Sequence, residues 1–188
     1  MKSGGKALVS AAHVIHLADM TTLPDLTSDC SACAAMCCMA LAFDEGEDFA
    51  FGKPAGLPCP NLDAEFGCQH YGHLEAEGFA GCVRYECQGA GQRVTQEIFA
   101  GQNWRDDPSL ARPMITAFAA LRQIHDALEL LVAAARLDLP LSLEVARDEL
   151  LEAYAPDDGW TEESLAAFIA SDIPARLNAF LPQLRDWV

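Results

Sequence analysis

The chain has 188 residues, enough for one ordinary domain or two small ones. Its 28 Asp and Glu outnumber its 12 Lys and Arg, and the net charge of −16 argues against a surface that contacts nucleic-acid phosphates or anionic lipid headgroups. A hydrophobic share of 51 % excludes intrinsic disorder, and no apolar run approaches the roughly 18 residues of a membrane span.

The first 29 residues carry few signals. Lys2 and Lys6 precede an apolar stretch over 7–18, but His13, His16 and Asp19 interrupt the pattern and no small-residue cleavage site follows. Residues 7–20 read as a short helix or extended piece rather than an export signal, so the expected compartment is the cytoplasm. Pro24 and its polar neighbours form a loop, in which Thr27, Ser28 or Asp29 can cap a short helix.

All eight cysteines fall between positions 30 and 87: Cys30, Cys33, Cys37, Cys38, Cys59, Cys68, Cys82 and Cys87. A general need for small buried apolar side chains would scatter them. Clustering calls for a local cause, either a disulfide framework or thiolate metal ligation. In a reducing cytoplasm thiols persist, which favours metal. On a continuous helix, Cys30, Cys33 and Cys37 share one face and Cys38 points about 100° away from Cys37. Such a face, with the four later cysteines and with His70 or His73 as possible nitrogen ligands, suits a soft cation or an iron–sulfur cluster.

Residues 43–101 are rich in turn formers. The run from Lys53 through Pro54, Gly56, Pro58 and Pro60 cannot hold regular structure for long. Strand candidates lie at 49–51, 82–86 and 94–99. So small an apolar complement normally needs a metal or disulfide staple. The acidic run Asp44, Glu45, Glu47 and Asp48 reads as solvated loop. Gly89-Ala90-Gly91-Gln92 lacks the third glycine of a dinucleotide fingerprint. It reads instead as a turn beside Cys87 whose amides face cluster sulfurs.

Past Trp104 the pattern turns helical. Leu110, Met114, Ile115, Phe118, Leu121, Leu128, Leu131 and Val132 recur at three- and four-residue steps, predicting a long helix over 109–136. His125 on it reads as a satisfied core or boundary histidine. Ser142 can cap a second helix reaching Tyr154, Thr161 a third, and Asp172 with Pro174 starts a fourth that Pro182 should kink or break. The expected fold is therefore mainly α. An irregular cysteine-rich metal-binding region with short strands (1–105) precedes a small helical bundle (106–188), which acts as scaffold or as the surface for a homodimer or protein partner.

The motifs CSACAAMCC, Cys59-Pro60-Asn61-Leu62-Asp63, Cys68-Gln69-His70 and Gly81-Cys82 resemble the CxxCxxCC cysteine-cluster family of YkgJ type, described as zinc- or iron-chelating. Three residues rather than two separate Cys33 from the adjacent pair. The longer run CPNLDAEFGCQHYG, GFAGCVRYECQGAGQRVTQ and GQNWR resembles the N-terminal cysteine-rich domain of bacterial pentapeptide-repeat proteins, without the repeats. The resemblance implies a metal held by the eight cysteines, with His70 as a possible further ligand. A [4Fe-4S] cluster is favoured and zinc is the alternative. A carrier, sensor or structural module is the expected role. Cluster-dependent redox or transfer chemistry and a zinc-stabilised interaction scaffold stand as the alternatives.

Overall fold

Pro108 begins the longest helical segment of the chain, because a proline in the first turn forfeits only an N–H that has no partner there. Asp107 accepts from the Ser109 N–H, and one 3-10 turn, Pro108–Leu110, leads into α4, Ala111–Ala134. The computed structural model describes residues 23–188. The element expected over 7–20 and the export-signal reading lie outside the described residues.

Among the described residues, five further short or irregular pieces precede α4 and its 3-10 lead-in. They are a 3-10 turn at Cys30–Ala32, α1 at Met36–Ala40, α2 at Ala80–Arg84, α3 at Ala90–Arg93, and a π-helical turn at Val94–Ile98 that continues α3. After α4 come α5 (Leu141–Tyr154), α6 (Glu162–Ile169), α7 (Ile173–Phe180) and a 3-10 segment at Leu181–Trp187. Helix makes up 52 % of the structure, and no sheet forms among the described residues. The mainly α fold ending in a helical bundle is as the sequence predicts.

The bundle follows its sequence signals closely. Thr161 and Ser164 form a reciprocal capping box at the start of α6, which settles two N–H groups that the helix cannot itself satisfy. Pro182 ends α7 as expected, and the chain tightens there into 3-10 turns. The cap expected from Ser142 is different: Pro140 occupies that position, and its extended backbone starts α5 without a side-chain hydrogen bond.

The three predicted strands do not form. Phe49 makes only an isolated bridge with Gly46, and Phe43–Lys53 and Leu62–Cys68 are isolated bridges too. Residues 82–84 belong to α2 and 94–98 to the π turn. Val94 and Thr95 favour strands by propensity. Here Val94 is fully buried, and the Thr95 hydroxyl closes back on the Gly91 carbonyl at 3.0 Å. Tertiary contact overrides a weak local preference.

Helix α4 is the spine. Met114, Phe118, Leu121, Ile124, Leu128 and Leu131 on it are at most 1 % exposed. α5 and α6 pack on α4, as do α1, α3 and the π turn, while α7 packs on α5 and α6. Ala34, Met36, Met39, Ala90 and Val94 join the same apolar cluster as Phe118, Leu150 and Phe168, so the core runs unbroken past residue 105. The 43–79 loop adds aromatic pairs of its own. Phe43 stacks on Phe49 at 4.4 Å and Phe51 meets Phe79 edge-on at 5.1 Å.

Candidate functional site: the thiol cluster against the central helix

The first cysteines do not share a continuous helix. Asp29 caps the 3-10 turn by accepting from the Ser31 N–H at 2.9 Å, as one of the three expected caps. Cys33 is already extended, and Ala35 takes a left-handed conformation with φ of 53°. Helix α1 starts only after it. The helical face expected of Cys30, Cys33 and Cys37 is thus broken between the second and third, because the chain must turn there to bury Ala34, Ala35 and Met36. The Met36 N–H donates to Cys33 Sγ at 3.4 Å across that turn.

Side chains from the α3 segment hold this loop in place. The Gln92 amide accepts from the Asp29 N–H at 2.7 Å and donates to the Thr27 carbonyl at 2.8 Å. Thr95 Oγ1 accepts from the Ala34 N–H at 3.0 Å, and Gln96 donates to the Ala32 carbonyl at 2.8 Å. Trp104 donates its indole N–H to the Ala34 carbonyl at 2.7 Å. Gln92, Thr95 and Gln96 recur at three- and four-residue spacing, the one signal in the sequence that they could work together on one helical face.

Cys87 enters from a tight turn. The Ala90 N–H returns to the Cys87 carbonyl at 3.0 Å, and Gln88 and Gly89 both have positive φ, 46° and 76°. That is a type I′ arrangement, which suits glycine and strains glutamine. Glu86 accepts from the Cys87 and Gln88 N–H groups and from the Ser28 hydroxyl. Ser28 Oγ lies 3.1 Å from Cys87 Sγ. The Gly89 and Ala90 amides therefore go to Ser28 Oγ and to the Cys87 carbonyl, not to sulfur as expected. Glycine serves the site differently: a Cβ on Gly91 would stand 2.6 Å from Cys33 Sγ.

The remaining cysteines approach from loops. The Cys59 N–H donates to the Cys38 carbonyl at 3.1 Å, Leu62 N–H to the Cys59 carbonyl, and Cys68 pairs with Leu62. Cys82 sits on α2, whose Gly81 lies so close to the Phe49 ring that a Cβ there would overlap it. His70 stacks on Phe79 with ring centres 6.1 Å apart and lies 3.9 Å from the Glu77 carboxylate. His73 is exposed.

All eight cysteines are free thiols, and their fields overlap in two groups. Burial raises the Cys33 thiol to about 12, with smaller contributions from Cys37, Cys87 and Cys30. Burial also raises Cys30, helped by Cys37 and Cys87. On the other side, burial raises Cys82 to about 11, with Cys37, Cys59 and Cys68 adding to it, and Cys59 rises for the same reasons. Cys37 stands between the groups. A hydrogen bond with the Cys38 thiol, 3.9 Å away, and burial push it well up. Cys30, Cys33, Cys37 and Cys87 thus act on one another around α1 and the Cys87 turn. Cys37 also acts on Cys59 and Cys82 towards the loops, with Cys38 beside it. Among the described residues, no three Cys, His, Asp or Glu side chains stand converged as a ready-made metal site. The donor set nevertheless fits a soft metal, because it is wholly thiol. Ligation by Cys30, Cys33, Cys37, Cys59 or Cys82 would have to displace a proton, since burial raises each of these thiols.

His125, as expected, is a satisfied core residue. It is 1 % exposed, and Nδ1 lies 2.5 Å from the Gln88 carbonyl, the distance of a donated N–H. Burial lowers its pKa to about 4, and Arg93 adds slightly to that, against the raising effect of the Gln88 bond. The unfolded chain takes up this proton near pH 6.5 and the folded chain only near 4. Stability from this group is complete above about pH 6.5 and is lost as pH falls towards 4. Between pH 7 and 5 the loss is on the order of 2 kcal/mol. Urea titrations of wild type and His125→Gln at those two pH values should show a flatter dependence in the variant; equal slopes would refute the assignment.

The fold and the thiols together define a mainly helical protein with a cysteine-rich face packed on one long helix. No helix among the described residues is long and apolar enough to cross a membrane. The chain is 41 % identical over 115 residues to an uncharacterized protein, YybG, of Bacillus subtilis (strain 168). That match takes in 61 % of this chain and 41 % of the relative, so the chain spans about two fifths of the relative's length. No family model and no solved structure matches.

Proposed function

We propose that the chain is a metal-binding module that holds an iron–sulfur cluster or zinc through the thiolates of Cys30, Cys33, Cys37, Cys38, Cys59, Cys68, Cys82 and Cys87. One observation carries this reading: all eight cysteines are free thiols, Cys37 and Cys38 lie 3.9 Å apart, and Cys33, Cys37 and Cys87 pack on the one core built around α4. Four thiolates are the complement of a [4Fe-4S] cluster or of a tetrahedral zinc ion, and eight cysteines can supply them. The helices α1, α2 and α3 have only four or five residues each. Elements that short are marginal without cross-links, which supports a structural share in the metal's role.

Metal and sulfide analysis of anaerobically purified chain, with its visible spectrum, tests the proposal. Iron with acid-labile sulfide and a sulfur-to-iron absorption band identifies a cluster. Colourless protein with stoichiometric zinc identifies the zinc form. Protein that carries neither, and takes up neither on reconstitution, overturns the proposal.

A further inference from the structure

A cavity of about 410 Å³ opens between the 26–28 loop, the Cys87 turn and the C-terminal end of α4. Its charged lining is Glu86, Glu129 and Arg136, and Leu26 and Val132 give it an apolar wall. Each carboxylate is anchored through one oxygen and keeps the other to spare. Glu86 Oε1 accepts from the Ser28 hydroxyl, from the Cys87 N–H at 2.8 Å and from the Gln88 N–H at 3.0 Å. Glu129 Oε2 accepts from the Gln88 side-chain amide at 3.3 Å. Glu86 Oε2 and Glu129 Oε1 have no partner among the described residues. Gln88 thus ties both carboxylates to one residue. It keeps a φ of 46°, a conformation strained for a residue with a side chain, and its carbonyl is held 2.5 Å from His125 Nδ1. Such strain persists only where the surroundings over-determine it. The Arg136 guanidinium, in a chain with 28 acidic side chains, has no hydrogen-bond or ion-pair partner among the described residues.

Two carboxylates and one guanidinium give the cavity a charge of −1. A ligand that matches them group for group has two cations and one anion on an apolar frame. We propose that the cavity binds a free basic amino acid, lysine or arginine. The ligand's α-carboxylate pairs with Arg136, whose planar fork suits a carboxylate. Its α-ammonium and its side-chain cation take the spare oxygens of Glu129 and Glu86, and its methylene chain lies on Leu26 and Val132. The volume is within the range of about 300–1,000 Å³ usual for small-molecule sites. This site uses no thiol, so it stands apart from the metal reading.

Isothermal titration calorimetry on the full chain, at low ionic strength, tests the proposal with lysine, cadaverine, Nα-acetyl-lysine and leucine. Lysine should bind saturably and lose affinity as salt is added. Each of the other three lacks one matched group and should bind about fivefold more weakly, the upper range for an exposed ion pair. Arg136→Gln should weaken lysine by a similar factor and leave cadaverine unchanged, because cadaverine has no carboxylate to lose. Glu129→Gln, which keeps an acceptor for the Gln88 amide, should weaken both. Both side chains are exposed, so neither variant should shift the thermal transition, and the ligand series on wild type stands without them. Absence of saturable lysine and arginine binding at millimolar concentration would overturn the proposal. So would leucine binding as tightly as lysine, or Arg136→Gln weakening cadaverine as much as lysine. None of these outcomes touches the metal reading.

Discussion

Phe118→Ala should cost about 3–5 kcal/mol in urea unfolding, the range for truncating a large aromatic in a closed core. Phe118 is fully buried in the middle of α4, in the one apolar cluster that contains both Met36 of α1 and Leu150 of α5. The cavity would therefore open between the thiol face and the bundle. Neither side can collapse freely into it, because the Ala34 carbonyl is held by Trp104 and the loop around it by Thr95 and Gln96. Thermal melts followed by circular dichroism should show a single transition at lower temperature. A loss below 1 kcal/mol, or two separate transitions, would contradict a shared core.

The second large effect is expected at Gly91, where two influences have opposite signs. By helix propensity, replacing glycine with alanine in α3 should stabilise by about 0.5–1 kcal/mol. By contact, the new Cβ would lie 2.6 Å from Cys33 Sγ and 3.8 Å from Met36 Cβ. The sulfur must leave its place and give up the bond from the Met36 N–H. Overpacking of this kind typically costs about 1–3 kcal/mol, so contact wins and Gly91→Ala should destabilise. Gly91→Val should do so more strongly. Both should raise the reactivity of Cys33 towards a thiol reagent, read by mass spectrometry of the modified peptide. A stabilised Gly91→Ala protein would show that the sulfur has room and that propensity decides.

The α-helical half was legible because its signals are local and agree with one another. Pro108, the apolar steps from Met114 to Leu131, the Thr161 cap and Pro182 each act within one or two turns of chain. The structure places helix starts and stops where they point. His125 could be read as core for the same reason, since its place on the apolar stripe already set its burial.

The thiol face was legible as a set of residues but not as a shape. Equal spacing made Cys30, Cys33 and Cys37 look like one helical face. The left-handed turn at Ala35 that separates them exists to bury Met36 against α4, and no short-range pattern records a contact so far along the chain. Val94 and Thr95 read as strand for the same cause. Lys53 left no readable signal at all: a lysine among prolines and glycines suggests solvent, whereas Phe43 and the carbonyls of the 54–57 turn enclose it.

By itself, then, the sequence determined which residues can do chemistry and which segments are helical, because composition, spacing and capping are properties of neighbours along the chain. Only the tertiary structure decided that the chain turns between Cys33 and Cys37, why Gly91 must lack a side chain, and that the Lys53 ammonium is buried. Each of those depends on groups that the fold brings together, and packing joins residues far apart in sequence, as Met36 and Phe118 in one core show.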